Sequence, residues 1–262
     1  MSHAGGVHRP GGGAGDRRVS DRGTAGVVTS IRDGVAVLEV SGSFPAAAAA
    51  ANEALLRALC LQPHAVACDL SAVAGALDDG TLRRLLDTGG YLENWPGTRL
   101  ALITRDPDRA GLPDGSPGAD VLVGGSLSEA LDALSGVPAI RTAAITLAAH
   151  PRASRAARDF VSRTCLDWRL PHGIPSAVLV VSELVTNAVS HAGTDIEVNL
   201  AALGNRLRLA VQDGNDDPPR LVRAGAELGR GRGMHVVEGF SRAWGSLPGP
   251  GGGKAVWVVI DA

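Results

Sequence analysis

The segment 181–192, VSELVTNAVSHA, carries polar side chains at a spacing that could do chemistry. At 100° per residue, one face of a helix would carry the apolar residues Val181, Leu184, Val185, Ala188 and Ala192, and the other face would carry the polar residues. Glu183 and Asn187 are four residues apart, so a carboxylate and a carboxamide project side by side. This pair suits a general base that acts beside a hydrated Mg²⁺ ion held through the amide oxygen.

A solvated surface helix is the ordinary interpretation of such a polar face. In this chain, however, 24 of the 25 basic residues are arginine, and the stretch 176–195 has none. Because a solvent-facing helix of this protein would be expected to carry arginine, its absence favours a functional face.

Three features downstream add to this pair. An apolar strand ends in Asp213-Gly214, which could present a carboxylate to an amino-bearing ring while the backbone comes close. The stretch 229–237, GRGRGMHVV, is a glycine-rich loop that runs into a helix, whose free N–H groups and dipole favour phosphate. The stretch 253–257, GKAVW, opens the last strand. Each also has an ordinary interpretation, as a turn, a linker or a core strand.

In this order and spacing, the motifs ELVTNAVSHA, VQDG, GRGMHVV and GKAVW closely resemble the GHKL ATPase fold, in its branch of anti-sigma-factor serine kinases. The resemblance implies a Bergerat-type site for ATP and Mg²⁺, with Glu183 as the general base and Asn187 as the Mg²⁺ ligand. Asp213 would contact the adenine amino group, and Gly231 and Gly233 would lie in the lid over the phosphates. The predicted nucleotide-binding residues are Asn187, His191, Asp213, Gly214, Gly231, Gly233 and Met234.

The chain departs from the family pattern at two places. Where the family has D-x-G-x-G, residues 213–217 are DGNDD. Where a threonine often follows the glycine that opens the last strand, this chain has Ala255. The positions of the base and of the metal ligand match the family.

The amino-terminal part, about 31–136, resembles a STAS domain, the fold of the anti-anti-sigma factors that such kinases phosphorylate. The stretches that carry this resemblance are VAVLEVSG, CDLSAV and SLSEAL, which begin at residues 35, 68 and 126. In the family a serine at the start of a helix accepts the phosphoryl group, but the corresponding stretch 76–82, ALDDGTL, has no serine. The resemblance therefore implies a degenerate STAS domain, although an aspartate here could equally be the N-cap of the next helix.

Hydrophobic periodicity predicts the elements that must position these residues. In the amino-terminal part, strands alternate with helices, which implies a mainly parallel sheet with helices packed on it. The strands are predicted around residues 35–40, 65–70, 99–104 and 120–123, and the helices at 46–61, 81–92 and 126–134. A break of small and turn-forming residues at 137–141 predicts a domain boundary.

The carboxy-terminal part has a different order of elements, which predicts an α+β domain with helices on one face of a sheet. A short helix is expected after the glycine-rich loop. The other helices are predicted at 152–168 and 176–191, and the strands at 143–148, 196–202, 206–212, 241–247 and 254–260.

Composition limits the classes of partner. The net charge is −2, from 25 basic and 27 acidic residues, so the chain has no electrostatic footprint for nucleic acid or for a membrane surface. No stretch approaches the roughly 20 apolar residues that cross a bilayer, and residues 1–26 are predicted to be a disordered tail rich in glycine and arginine. We expect a cytoplasmic protein whose three cysteines, Cys60, Cys68 and Cys165, are buried thiols.

These observations predict an α/β STAS-like domain over 27–137, followed by an α+β sandwich of the histidine kinase-like ATPase (Bergerat) type over 142–262. The predicted function is an ATP-binding anti-sigma regulator, a serine/threonine kinase that phosphorylates a separate STAS partner. Expected partners are a sigma factor or an anti-anti-sigma STAS protein, and the family's tendency to dimerise adds a homodimer. The alternative is a switch in which nucleotide occupancy controls a protein interface without phosphoryl transfer.

Overall fold

The computed structural model describes residues 19–20, 25–44, 46–61, 63–74, 98–105, 121–135, 140–219, 232–249 and 251–262. These residues form two compact units, one that ends at Ile140 and one that begins at Arg141. Each unit has its own sheet with helices packed on it, so the predicted mixture of α and β structure is confirmed.

The amino-terminal unit is built on a six-stranded sheet in the order β1-β2-β3-β4-β5-β6. The strands are β1 (Val19–Ser20), β2 (Gly26–Arg32), β3 (Val35–Ser43), β4 (Ala65–Ala74), β5 (Arg99–Ile103) and β6 (Val121–Gly124), and the described helices are α1 (Ala46–Leu59) and α2 (Leu127–Ser135). Strands β3 to β6 pair in parallel, as the alternation of strands and helices predicts. Alternate residues of β3, β4 and β5 pack against α2 to form the core on that face.

The first two strands differ from the prediction. β2 and β3 form an antiparallel hairpin across Asp33 and Gly34, whose φ angles are 50° and 79°. An Asp-Gly pair between two runs of β-branched residues is a signal for this hairpin that the sequence analysis did not use. Val19 pairs with Thr29, which places the short strand β1 within the stretch 1–26. The predicted helix 81–92 and the stretch 76–82 lie outside the described residues.

The carboxy-terminal unit has an antiparallel sheet in the order β10-β11-β9-β8-β7. Its strands are β7 (Arg141–Leu147), β8 (Ile196–Leu203), β9 (Arg206–Asp213), β10 (Ala243–Pro248) and β11 (Lys254–Asp261). The helices are α3 (Ala153–Asp167), α4 (Ile174–His191) and α5 (Arg232–Phe240), with a short 3₁₀ turn at Pro171–Gly173. Apolar residues of all three helices form one core with alternate residues of β8, β9 and β11, so the helices cover one face of the sheet, as predicted.

Helix α4 is the element that carries the predicted base and metal ligand. It begins two residues before the predicted start because Pro175 lies in its first turn, where a missing N–H costs nothing. By length and composition the stretch Pro171–His191 could cross a membrane. Its apolar face is nevertheless accounted for by the core, since Val181, Leu184 and Val185 are at most 3% exposed.

The buried thiols generate the first prediction. All three cysteines are buried thiols. Burial, with a smaller contribution from the negative charge of Asp69, raises the pKa of Cys68 to about 12, and burial raises the pKa of Cys165 to about 11. Because the thiolate is the reactive form, we expect neither thiol of the folded chain to react readily with iodoacetamide between pH 9.0, the ordinary thiol pKa, and about pH 10.

The unfolded chain serves as the control, since all three cysteines should be alkylated in urea and counted by mass spectrometry. Above pH 9.0 the unfolded chain loses thiol protons that the folded chain keeps, so the free energy of unfolding should fall as the pH rises through this window. Fast labelling of Cys68 or Cys165 in the folded chain would contradict their burial.

Candidate functional site

The polar face of α4 presents two side chains that no described residue engages. Glu183 and Asn187 are half-buried and lie about 6 Å apart along the helix axis. Among the described residues, no hydrogen bond or ion pair reaches either side chain. Thr186, between them in sequence, is turned back to its own helix, where its hydroxyl donates to the carbonyl oxygen of Ser182 at 2.6 Å. The carboxylate and the carboxamide are therefore free to bind a ligand.

The start of α5 lies directly against these two side chains. A Cβ atom on Gly233 would lie 2.7 Å from Oε2 of Glu183 and 3.5 Å from Nδ2 of Asn187. A side chain at residue 233 would therefore displace the carboxylate, and only glycine allows this approach without a shift. The first turn of a helix also has backbone N–H groups without intrahelical partners. The structure thus brings together three of the predicted site residues.

Two other predicted residues of the glycine-rich segment have different outcomes. Met234 is 5% exposed and lies in the apolar core with Val237, so it anchors α5 rather than facing the polar side of α4. Met234 thus has a packing role, and its role in nucleotide binding stays a prediction. Gly231 lies outside the described residues.

A second group of polar residues lies where β9 ends. Asp213 pairs in register with Lys254, the first residue of β11. The Lys254 ammonium donates to Oδ1 of Asp213 and to the carbonyl oxygen of Asn215, both at 3.0 Å. The side chains of Asp213 and Lys254 are only 5% and 12% exposed. The backbone N–H of Asn215 also donates to Oδ1, at 2.9 Å.

Asp213 and Lys254 face the helices. Side chains alternate along a strand, so Asp213 shares a face with Val211, and Lys254 shares a face with Val256. Both valines belong to the core beneath the helices. The predicted adenine ligand is therefore on the same side of the sheet as α4.

The residues that replace the family's glycines close the loop with their side chains. Asn215 donates from Nδ2 to the carbonyl oxygen of His191 at 3.3 Å, which ties the loop to the end of α4, one turn beyond Asn187. Its Oδ1 accepts from the backbone N–H of Asp217 at 2.9 Å. The side chain of His191 is exposed, and its role in nucleotide binding stays a prediction.

Two more hydrogen bonds fix the loop to its neighbours. The backbone N–H of Gly214 donates to the hydroxyl of Thr194 at 2.9 Å. The backbone N–H of Gly253 donates to Oδ1 of Asp216 at 2.7 Å, which ties the loop to the start of β11. Sequence reasoning missed Thr194, Asn215 and Asp216 because their partners are distant along the chain.

A surface pocket of about 310 Å³ lies beside this loop. Asp213, Gly214 and Thr194 line it, but so do Glu197 and Gln212, which point to the face of the sheet away from the helices. This pocket contains neither Glu183 nor Asn187, so it is separate from the polar face of α4.

Three consecutive glycines before β11 generate the second prediction. Gly253 has φ +72°, and a Cβ atom there would overlap the carbonyl oxygen of Asp213 and lie 2.7 Å from the Cα of Gly214. Gly252 has φ +98° with open space around it, and Gly251 has open space and no positive φ. Gly253→Ala is therefore expected to lower the free energy of unfolding of this unit by more than about 2 kcal/mol, since strain and overlap add.

The neighbouring glycines are matched controls for the same measurement. Gly252→Ala should cost about 1 kcal/mol from backbone strain alone, and Gly251→Ala should stay within about 0.5 kcal/mol of the parent. Urea unfolding followed by tryptophan fluorescence reports mainly on this unit, because three of the four tryptophans, Trp168, Trp244 and Trp257, lie in it. Equal costs at the three positions would contradict the close approach of Gly253 to Asp213.

Comparisons with known proteins give partial structural matches. No family model and no curated protein matches the sequence. A solved anti-sigma factor antagonist from Mycobacterium paratuberculosis matches with 27% identity and a TM-score of 0.33, over 45% of this chain and 99% of that chain. A structure of the RsbU and RsbW domains of a Mycobacterium tuberculosis protein matches with 23% identity and a TM-score of 0.36, over 47% of this chain and 32% of that chain. The chain is thus similar to each of these structures over less than half of its own length.

Proposed function

We propose that this chain is an ATP-binding regulator of the anti-sigma type, a kinase that transfers the γ-phosphoryl group of ATP to a hydroxyl of a STAS partner. The observation that carries the proposal is the approach of Gly233 to both Glu183 and Asn187. This approach brings three groups together. The carboxylate can accept a proton, the carboxamide can bind a magnesium ion, and the start of the helix can bind a phosphate.

The residues present fit Mg-ATP in their chemistry and in having atoms that no described residue engages. Asn187 offers an amide oxygen that no described residue engages, and Mg²⁺ prefers oxygen ligands. When bound, Mg²⁺ neutralises negative charge on the phosphates. The glycine at residue 233 lets the start of α5 come close to Glu183 and Asn187, and the first turn of α5 would provide N–H groups for phosphate oxygens.

In the proposed reaction Glu183 accepts the proton of the attacking hydroxyl. The hydroxyl oxygen forms a bond to the γ-phosphorus while the bond between that phosphorus and the β–γ bridging oxygen breaks, so that ADP leaves. Asn187 would hold the metal, and Asp213 would accept a hydrogen bond from the adenine amino group. The assignment of Asp213 is supported because its side chain faces the side of the sheet that α4 and α5 cover.

The amino-terminal unit is proposed to position or inhibit the kinase part. This unit resembles a STAS domain, but its stretch 76–82 has no serine to accept a phosphoryl group. The unit is therefore a poor candidate for the substrate of the kinase. The proposed partners are a sigma factor or a separate anti-anti-sigma protein in the cytoplasm, and a second copy of the chain as a homodimer. No role in binding nucleic acid or a membrane is proposed.

A second candidate function is a switch that binds nucleotide without transferring phosphate. The loop DGNDD favours it, because neither later glycine of the family pattern is present. Glu183, which no residue of the described part of the chain engages, favours the kinase, because nucleotide binding alone does not require a base. The two functions differ in a measurable product, a phosphorylated partner.

The third prediction concerns nucleotide binding by the full chain. Asn187→Ala is expected to weaken Mg-ATP binding at least about tenfold in isothermal titration calorimetry, because it removes the metal ligand. Ser190→Ala is the matched control, since Ser190 is exposed on the polar face of the same helix and is assigned no ligand. The assignment of the ATP site would be contradicted if the parent gave no heat of binding, or if the parent and Asn187→Ala bound Mg-ATP with equal affinity.

The fourth prediction separates the kinase from the switch. Glu183→Gln is expected to keep Mg-ATP affinity near the parent value but to slow phosphoryl transfer to a STAS protein by about 10²-fold or more, because it removes the base. Transfer is measured as radioactive label moving from γ-labelled ATP to each of a panel of STAS proteins, with Ser190→Ala again as control. A parent that binds ATP but labels none of them would favour the switch.

A further inference from the structure

Lys254 is the only lysine of the chain, and all other basic residues are arginine. Its ammonium lies between two acceptors, Oδ1 of Asp213 and the carbonyl oxygen of Asn215. Within the proposed site, this pair is the most deeply buried ionic contact of the described residues, with side chains 12% and 5% exposed. Burial of this extent is costly for a lone carboxylate, so Lys254 supplies the charge that Asp213 needs there.

The two oxygens of Asp213 are used differently. Oδ1 accepts both from Lys254 and from the backbone N–H of Asn215. Oδ2 accepts no hydrogen bond from any residue that the structure describes. Because two donors hold one oxygen, the carboxylate is fixed in orientation, and the second oxygen is left as an acceptor for a ligand.

The choice of lysine over arginine follows from this division. An arginine has a planar fork that binds both oxygens of a carboxylate at once. It would therefore occupy Oδ2 as well as Oδ1. A lysine is a point donor, and it can neutralise the charge through Oδ1 alone.

We propose that Lys254 is a positioning residue for the nucleobase: it holds Asp213 so that Oδ2 accepts the exocyclic amino group of a 6-aminopurine nucleotide. The proposal rests on the ATP site proposed above and adds the residue that sets its base specificity. A 6-oxopurine would place its own acceptor oxygen against Oδ2, and two buried acceptors without a proton between them repel. The site therefore selects ATP over GTP and ITP.

The test couples a change in the protein to a change in the ligand. Calorimetry on the full chain with Mg²⁺ compares ATP with purine riboside triphosphate, which lacks only the 6-amino group. In the parent, ATP is expected to bind at least about tenfold more tightly, since the amino group donates to a charged acceptor. Lys254→Met should reduce this ratio towards one and leave the affinity for purine riboside triphosphate nearly unchanged.

Lys254→Arg is the second variant, because it keeps the charge and so protects the fold. It should also lose the preference for ATP, since the fork occupies Oδ2. Arg242→Met is the matched control, as it removes a cation of the same unit from an exposed ion pair with Asp261 and should keep the parent ratio. Circular dichroism checks that each variant is folded.

The outcomes separate this proposal from the one on which it rests. If Lys254→Met weakens both ligands by the same factor, or if Lys254→Arg keeps the parent ratio, Lys254 has only a structural role and the ATP site still stands. If the parent binds both ligands equally, Asp213 does not bind the amino group and the proposal fails. If the parent binds neither ligand, the ATP site fails, and the role of Lys254 fails with it.

Discussion

Burial of the apolar face of α4 is the constraint on which the site depends. With 3.6 residues per turn, placing Val181, Leu184 and Val185 in the core fixes the rotation of the helix to within a few tens of degrees. Glu183 and Asn187 must then emerge at the edge of the core, beside the start of α5. Met234 and Val237 fix α5 to the same core. One apolar cluster therefore positions both the polar face of α4 and the start of α5 that lies against it.

The sequence was sufficient to predict the elements that bury apolar residues periodically. Helix α4, the hairpin of β8 and β9 and the one-sided cover of the second sheet all follow from such patterns. The hydrogen bonds that close the loop after β9 could not be predicted, because they join residues far apart: Asn215 to His191 spans 24 positions, and Asp216 to Gly253 spans 37. Met234 shows a related limit, since a nine-residue helix has too few turns for its apolar face to be identified from periodicity.

The loop DGNDD replaces backbone freedom with side-chain hydrogen bonds. Glycines lower the steric barrier to a tight loop but increase the entropy lost when it becomes ordered. Asn215 and Asp216 instead give the loop partners at the end of α4 and directly before β11. The buried ion pair between Lys254 and Asp213 adds a third attachment, so the loop is held on both sides of the position proposed for the nucleobase.

The turn between β10 and β11 has a further consequence for the kinds of change that the chain can tolerate. Gly249 and Gly253 close this turn through the hydrogen bond from the Gly249 N–H to the Gly253 carbonyl, and Lys254 then enters the sheet opposite Asp213. Since side chains alternate along a strand, inserting or deleting one residue here would bring Ala255 or Gly253 opposite the carboxylate and turn the lysine to the other face. The length of this turn is therefore under stronger constraint than its composition, and an evolutionary record of the protein should show substitutions at Gly251 but no single-residue gaps.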